Sequence, residues 1–185
     1  NFYRPLGMTR AGYLPRERFA KDEIVPTEQD TSFRKTLLEG YVHDQGAAMA
    51  GGIAGHAGLF ATANDLAIYG QLLLNRGEYG GERYFKTETI DLFTSKQSAS
   101  SRRGLGFDRW DPNPKNEYPS KLANSTVFGH TGYTGTCIWI DPQNQLIYIF
   151  LSNRVHPQVS TRLLDLNIRS RIQDAIYETI NESQK

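Results

Sequence analysis

Phe128-Gly-His-Thr-Gly-Tyr-Thr-Gly-Thr-Cys-Ile-Trp-Ile-Asp-Pro-Gln-Asn-Gln-Leu-Ile-Tyr-Ile-Phe-Leu-Ser152 is the stretch that decides the architecture. Two runs rich in β-branched and aromatic residues, Thr136–Ile140 and Gln145–Ser152, flank the turn residues Asp141-Pro-Gln-Asn144. That pattern predicts an antiparallel hairpin. Both runs are apolar at successive positions, so both faces of the sheet should be covered by helices. The glycines before the hairpin bring backbone N–H groups and the Thr131 hydroxyl together at the mouth of a strand. Spacing alone leaves open whether this is a substrate-binding edge or only a glycine-rich turn entering a strand.

Working outward, Leu164, Ile168, Ile172, Ala175, Ile176 and Ile180 recur at helical spacing and predict an amphipathic helix lying on the sheet. Upstream, Thr62 followed three residues later by Asp65 is a capping-box signature. It opens a helix expected over about 64–75, with Leu66, Tyr69, Leu72 and Leu73 on one face and Gly77 at its end. A shorter helix is expected over 86–95, burying Ile90 and Phe93, and a short strand over 105–110. Residues 9–45 read as irregular with at most short turns, 46–58 as a close-packed glycine-rich loop, and 96–104 and 111–125 as loops. No internal repeat or interdomain linker is evident. The fold class is therefore mixed α/β of the α+β type, an antiparallel sheet flanked by helices.

Composition narrows the function classes. Lysine plus arginine number 21 and aspartate plus glutamate 20 in 185 residues, a net charge of +1. So even a balance argues against a general nucleic-acid surface or a polybasic membrane surface. The longest run of large apolar residues, Leu146–Leu151, is far too short to span a membrane. One cysteine, Cys137, excludes an internal disulfide, and its place in a strand reads as core rather than nucleophile. His43, Asp44, His56 and His130 are enough ligands for a metal, but no two sit at a helix or strand ligand spacing. We expect no metal and no cofactor, and read His43 and His56 as loop histidines lining or closing a cleft.

Three motifs in order resemble the serine β-lactamase and penicillin-binding-protein superfamily, in its class C and esterase-like branch. They are Pro5-Leu-Gly-Met-Thr9, Ala57-Gly-Leu-Phe-Ala-Thr-Ala-Asn-Asp-Leu66, and Gly129-His-Thr-Gly132 followed by the hairpin and Leu151-Ser-Asn-Arg154. The resemblance implies a partial β-lactamase/transpeptidase-like fold, with residues 1–185 the C-terminal portion of one such domain. It makes His130, Thr131 and Gly132 the third active-site motif, holding a substrate carboxylate or carbonyl. The Tyr133 N–H becomes one of two oxyanion-hole donors, and Asn153 falls where the family places an Asn near the substrate carboxylate; His56, read above as lining the cleft, is also expected to bind substrate. A peptide-like or cell-wall-derived substrate would lie along the strand edge.

The family's nucleophile motif, Ser-x-x-Lys, and its Tyr-x-Asn or Ser-x-Asn motif are not found at their places in this sequence. Ser32-Phe-Arg-Lys35 has the first spacing, but 11 serines and 7 lysines bring one such match within reach of chance. It also follows the turn that should come after the nucleophile, so we read it as a decoy. The expectation is that nucleophile and base lie upstream of Asn1, that the upstream half of the domain is a partner, and that these residues alone are inactive. The run from Pro26 through Val42-His-Asp44 to Gly55-His-Ala-Gly58 further resembles domains fused behind a glycoside hydrolase family 3 β-N-acetylglucosaminidase. That resemblance leaves a non-catalytic peptidoglycan-binding or supporting module as the alternative. The resemblance to the β-lactamase and penicillin-binding-protein superfamily implies a periplasmic or cell-envelope location.

Overall fold

The computed structural model describes residues 2–183; Asn1, Gln184 and Lys185 lie outside the described residues. Among the described residues two short 3-10 turns (Pro15–Glu17 and Lys21–Glu23) precede thirteen strands and α-helices: β1 (Pro26–Asp30), β2 (Thr36–Glu39), α1 (Gln45–Met49), α2 (Ala63–Leu74), β3 (Glu78–Tyr79), β4 (Glu82–Arg83), α3 (Thr87–Thr94), β5 (Asp108–Arg109), β6 (Phe128–Thr131), β7 (Cys137–Asp141), β8 (Leu146–Phe150), α4 (Arg162–Asp165) and α5 (Ile168–Ser183). The principal sheet has four antiparallel strands in the order β5-β6-β7-β8. Two small hairpins, β1-β2 and β3-β4, stand apart from it.

The predicted hairpin forms as β7-β8, and its turn is closed by one side chain. Asp141 Oδ1 accepts from the Gln143 and Asn144 N–H groups at 2.9 and 3.1 Å. Burial alone would push this carboxyl up. Hydrogen bonds from Asn124, Asn144 and the Tyr177 hydroxyl outweigh it and hold Asp141 below the usual carboxylate range.

Helices cover both faces of the sheet, as the apolar runs predict. Alternate side chains divide between them. Cys137, Trp139 and Tyr148 pack with Tyr177, Ile176 and Ile180 of α5. Phe128, Ile138, Ile140 and Ile147 pack with Leu73, Leu74 and Tyr69 of α2. The α2 crossing is close: a Cβ on Gly70 would lie 2.7 Å from Ile147 Cγ2. The Thr62–Asp65 capping box is present in both directions. The helix stop comes one residue earlier than expected, because Arg76 takes the left-handed conformation (φ 53°) and the Gly77 N–H then bonds the Leu72 carbonyl at 2.8 Å. A third cluster seats Leu6 and Met8 of the N-terminal turn on Leu72.

Several expectations are corrected. Residues 9–45 are not irregular: they hold the β1-β2 hairpin, and α1 follows inside the glycine-rich stretch. The β5 strand is two residues long rather than six. Phe93 is exposed, and α3 buries Thr94 with Ile90. The C-terminal helix is broken at Asn167 (φ 48°) into α4 and α5. Its inward face is also turned: Gln173 and Tyr177 are buried, while Leu164 and Ile172 are exposed. The Tyr177 hydroxyl donates to buried Asp141 at 2.7 Å, which draws that face inward.

Candidate active site

The β6 strand is only partly covered. Gly129 pairs with Asp108 and Phe128 with Arg109, but His130 and Thr131 pair on the β7 side alone. Among the described residues these two therefore have no strand partner on their outer side. Glycine at 129 is a packing requirement, since a Cβ there would lie 2.0 Å from the Ile138 carbonyl oxygen and 2.8 Å from Trp139.

The exposed His130 ring bridges two groups. Its Nε2 lies 3.0 Å from Arg103 Nη1, and its Nδ1 lies 2.8 Å from the Thr131 carbonyl oxygen. An arginine only donates, so Nε2 accepts and Nδ1 carries the proton it gives to Thr131. Arg103 is steered in turn by Asp108, 3.6 Å away. Asp108 is buried at the sheet's edge. Burial raises its carboxyl, but Arg102, the Arg109 N–H and the Tyr118 hydroxyl hold it below the ordinary range. Burial and the Asp108 charge push Tyr118 itself up to about 12.

After Thr131 the chain makes a turn over Gly132–Gly135, closed by a Gly135 N–H to Gly132 carbonyl bond of 3.1 Å. The Gly132 N–H bonds the Thr136 carbonyl at 2.7 Å, and a Cβ on Gly132 would collide with Thr136 Oγ1 at 2.3 Å. Among the described residues the Tyr133 N–H enters no main-chain bond. Tyr133 is 63% exposed, yet its ring is held by two neighbours. The Arg154 guanidinium lies 4.3 Å from the ring centre, and Arg154 Nε donates to the Tyr133 carbonyl at 2.7 Å. The His43 imidazole packs on the same ring at 5.2 Å.

His43 reaches this place through the β1-β2 hairpin. Arg34 donates to Asp30, to Glu28, and to the Val42 and His43 carbonyls, so one guanidinium ties the hairpin to the His43 backbone. Glu28 Oε2 lies 3.4 Å from His43 Nε2. Asp30 accepts from the Phe33, Arg34 and Ser32 N–H groups, which together with Arg34 hold its carboxyl far below the usual range. The Ser32 hydroxyl lies in this turn, directed at Asp30 rather than Lys35; both Ser32 and Lys35 are exposed. They form no nucleophile–base pair.

The remaining expected residues sit further out. His56 is exposed and pairs with Asp44 Oδ1 at 3.1 Å, the carboxylate that also caps α1 through the Ala47 N–H. The Asn153 amide is fully committed to main chain. It donates to the Pro26 and Thr27 carbonyls at 2.6 and 3.0 Å and accepts from the Val155 and His156 N–H groups. It anchors β1 behind the site and has no group left over for a ligand. Cys137 is buried, with its thiol pushed up to about 11 by that burial. Sequence reasoning missed the arginines that organise this site. Arg34 donates to the His43 carbonyl, Arg103 to His130, Arg154 to the Tyr133 carbonyl and Arg169 to the Thr136 carbonyl, and no local spacing marks these roles.

The model of the family named Beta-lactamase matches residues 1–172. The chain belongs to that family. Among curated proteins it is 35% identical over 172 residues to a protein of Escherichia coli K12 named "Putative D-alanyl-D-alanine carboxypeptidase", covering 86% of this chain and 40% of that protein. A protein of the same name from Salmonella gallinarum is 33% identical over 181 residues, with 90% and 41% covered. The chain thus spans about 40% of the length of these relatives. In fold it is similar to a penicillin-binding-protein homologue from Caulobacter crescentus, with TM-score 0.58 and 17% identity over 96% of this chain and 50% of that one. Simvastatin synthase from Aspergillus terreus is similar at TM-score 0.56 and 18% identity, over 91% and 46%. The mixed α/β architecture is that of this family.

Proposed function

We propose that these residues supply the substrate-binding and oxyanion edge of a serine acyl-hydrolase of the β-lactamase, DD-peptidase and esterase type. The nucleophile and its base are assigned to residues outside this sequence. The observation that carries the reading is the free edge of His130 and Thr131, ending in a Tyr133 N–H with no main-chain partner among the described residues. A peptide main chain laid along that edge gains strand-type hydrogen bonds. Its reacting carbonyl then falls beside the Tyr133 N–H, which stabilises the negative charge that develops on oxygen during acyl transfer. Thr131 offers its hydroxyl, and Arg103, oriented by His130, offers positive charge and donors to a substrate carboxylate. The names of the curated relatives point to peptides ending in D-alanine as the substrate class. Such substrates belong to the periplasm or cell envelope, where we place the protein's work. Of the expected binding residues, Asn153 acts from behind by anchoring β1, and His56 from the rim through Asp44.

The test is labelling by a fluorescent penicillin and a fluorophosphonate, read by intact mass. The 185 residues alone should remain unmodified, and an N-terminally extended polypeptide should acquire one adduct upstream of Asn1. An adduct on Ser32 overturns the reading. No adduct on the extended polypeptide favours the non-catalytic supporting module, behind a glycosidase domain if the reading frame upstream encodes one.

A further inference from the structure

The main-chain turn carrying Tyr133 is gripped from the side of the C-terminal helix. Arg169, the second residue of α5, sends Nη1 to the Thr136 carbonyl at 2.9 Å and to the Gly132 carbonyl at 3.4 Å. Its own carbonyl accepts from the Tyr148 hydroxyl at 3.1 Å, which pins the start of α5 to β8. The Gly132–Tyr133 peptide is planar and trans, so the Gly132 C=O and the Tyr133 N–H point in opposite directions. Drawing the carbonyl toward Arg169 and the Gly135 N–H therefore aims the Tyr133 N–H away from α5. Gly132 has no side chain to resist a rotation of that peptide, and a single neutral turn bond would otherwise be its main restraint. A charged donor strengthens the restraint. It also polarises the amide, which makes the N–H a better donor to a forming oxyanion.

We propose that Arg169 is a positioning residue for the oxyanion donor, holding the Gly132–Tyr133 peptide in the orientation that acyl transfer needs. The inference rests on Tyr133 being that donor. Beside Arg169 lies a cavity of about 180 Å³ whose lining includes Thr131, Trp139, Asn167 and the arginine itself; shortening the arginine should leave room there for a small cation.

Arg169→Ala and Arg169→Lys are to be compared with wild type in the N-terminally extended polypeptide, using acylation by a reporter β-lactam. Arg169→Ala should lower the acylation rate by about 10–100-fold, less than the roughly 10²–10³-fold cost of removing an oxyanion donor outright. KM should stay within about twofold. Arg169→Lys should be intermediate, and millimolar methylguanidinium should restore part of the Arg169→Ala rate. A rate unchanged in Arg169→Ala overturns the proposal, as does a loss that tracks a fall in Tm and ignores methylguanidinium. If the wild-type extended polypeptide is not acylated at all, the donor reading itself has failed. The positioning claim is then judged on the 185 residues alone, ¹⁵N-labelled. A Tyr133 amide whose chemical shift and hydrogen exchange change in Arg169→Ala supports it, and an unchanged amide overturns it.

Discussion

The His43 imidazole packs on the Tyr133 ring at 5.2 Å, tilted 35°, and so joins the β1-β2 hairpin to the turn that carries the proposed oxyanion donor. Ninety residues of chain separate the two, and the contact exists because Arg34 fixes the His43 backbone. His43→Ala should cost about 0.5–1.5 kcal/mol of stability from the lost ring contact. It should also speed hydrogen exchange across Gly132–Gly135. Equal exchange in variant and wild type would show that the hairpin does not restrain the turn.

Acid should unfold the protein through its buried carboxylates. Asp30, Asp108 and Asp141 all hold folded pKa values below the ordinary one. The stability they contribute is fully present above the unfolded value of about 3.9. It is lost as pH falls through the depressed folded values. Thermal melts should be level in this contribution from pH 7 to about 5 and fall steeply below about pH 4. A melt unchanged down to pH 2 would contradict the hydrogen-bond assignments.

Gly129→Ala should destabilise by about 1–3 kcal/mol or more, because the added methyl meets main chain of β7 and cannot be relieved by rotating a side chain. Denaturant melts give the value. A neutral effect would mean that β6 and β7 lie farther apart than described.

Much of this was legible in the sequence and some was not, for identifiable reasons. The β7-β8 hairpin, the capped start of α2 and the two-sided sheet follow from short-range signals, and the structure has them. The β1 and β2 strands carry no apolar alternation: Pro26-Thr-Glu-Gln-Asp30 reads as a polar loop, and its order comes from the Arg34 grip on distant carbonyls. The inward face of α5 was read only in part, because periodicity counts isoleucines: Ile176 and Ile180 pack on the sheet as expected, while Gln173 and Tyr177 are buried there and Ile172 is exposed. Tyr177 is drawn inward by a polar partner, Asp141, that no hydrophobic pattern reveals. The edge residues His130 and Thr131 were visible as a motif. The packing of His43, rather than His56, on Tyr133 depends on the fold of the hairpin.

The outer edge of β8 has no strand partner among the described residues, and Leu151 beside it is exposed. Leu164, Leu166 and Ile172 add further exposed apolar surface on α4–α5. An open edge with apolar neighbours templates pairing with another chain. The 185 residues alone should self-associate with rising concentration in light scattering, and Ile149→Lys at the edge should reduce it. A monodisperse monomer across the range would show that this edge is already protected.

The most direct measurement concerns the Tyr133 N–H itself. Tyr133 is the second residue of the Gly132–Gly135 turn, a position that accepts proline. Tyr133→Pro therefore removes the N–H with the turn retained, while Tyr133→Ala removes the ring and keeps the N–H. Acylation of the N-terminally extended polypeptide by a reporter β-lactam should fall roughly 10²–10³-fold in Tyr133→Pro. In Tyr133→Ala it should stay within about tenfold of wild type. A folded Tyr133→Pro variant that acylates as fast as Tyr133→Ala would contradict the assignment of this edge as the oxyanion site.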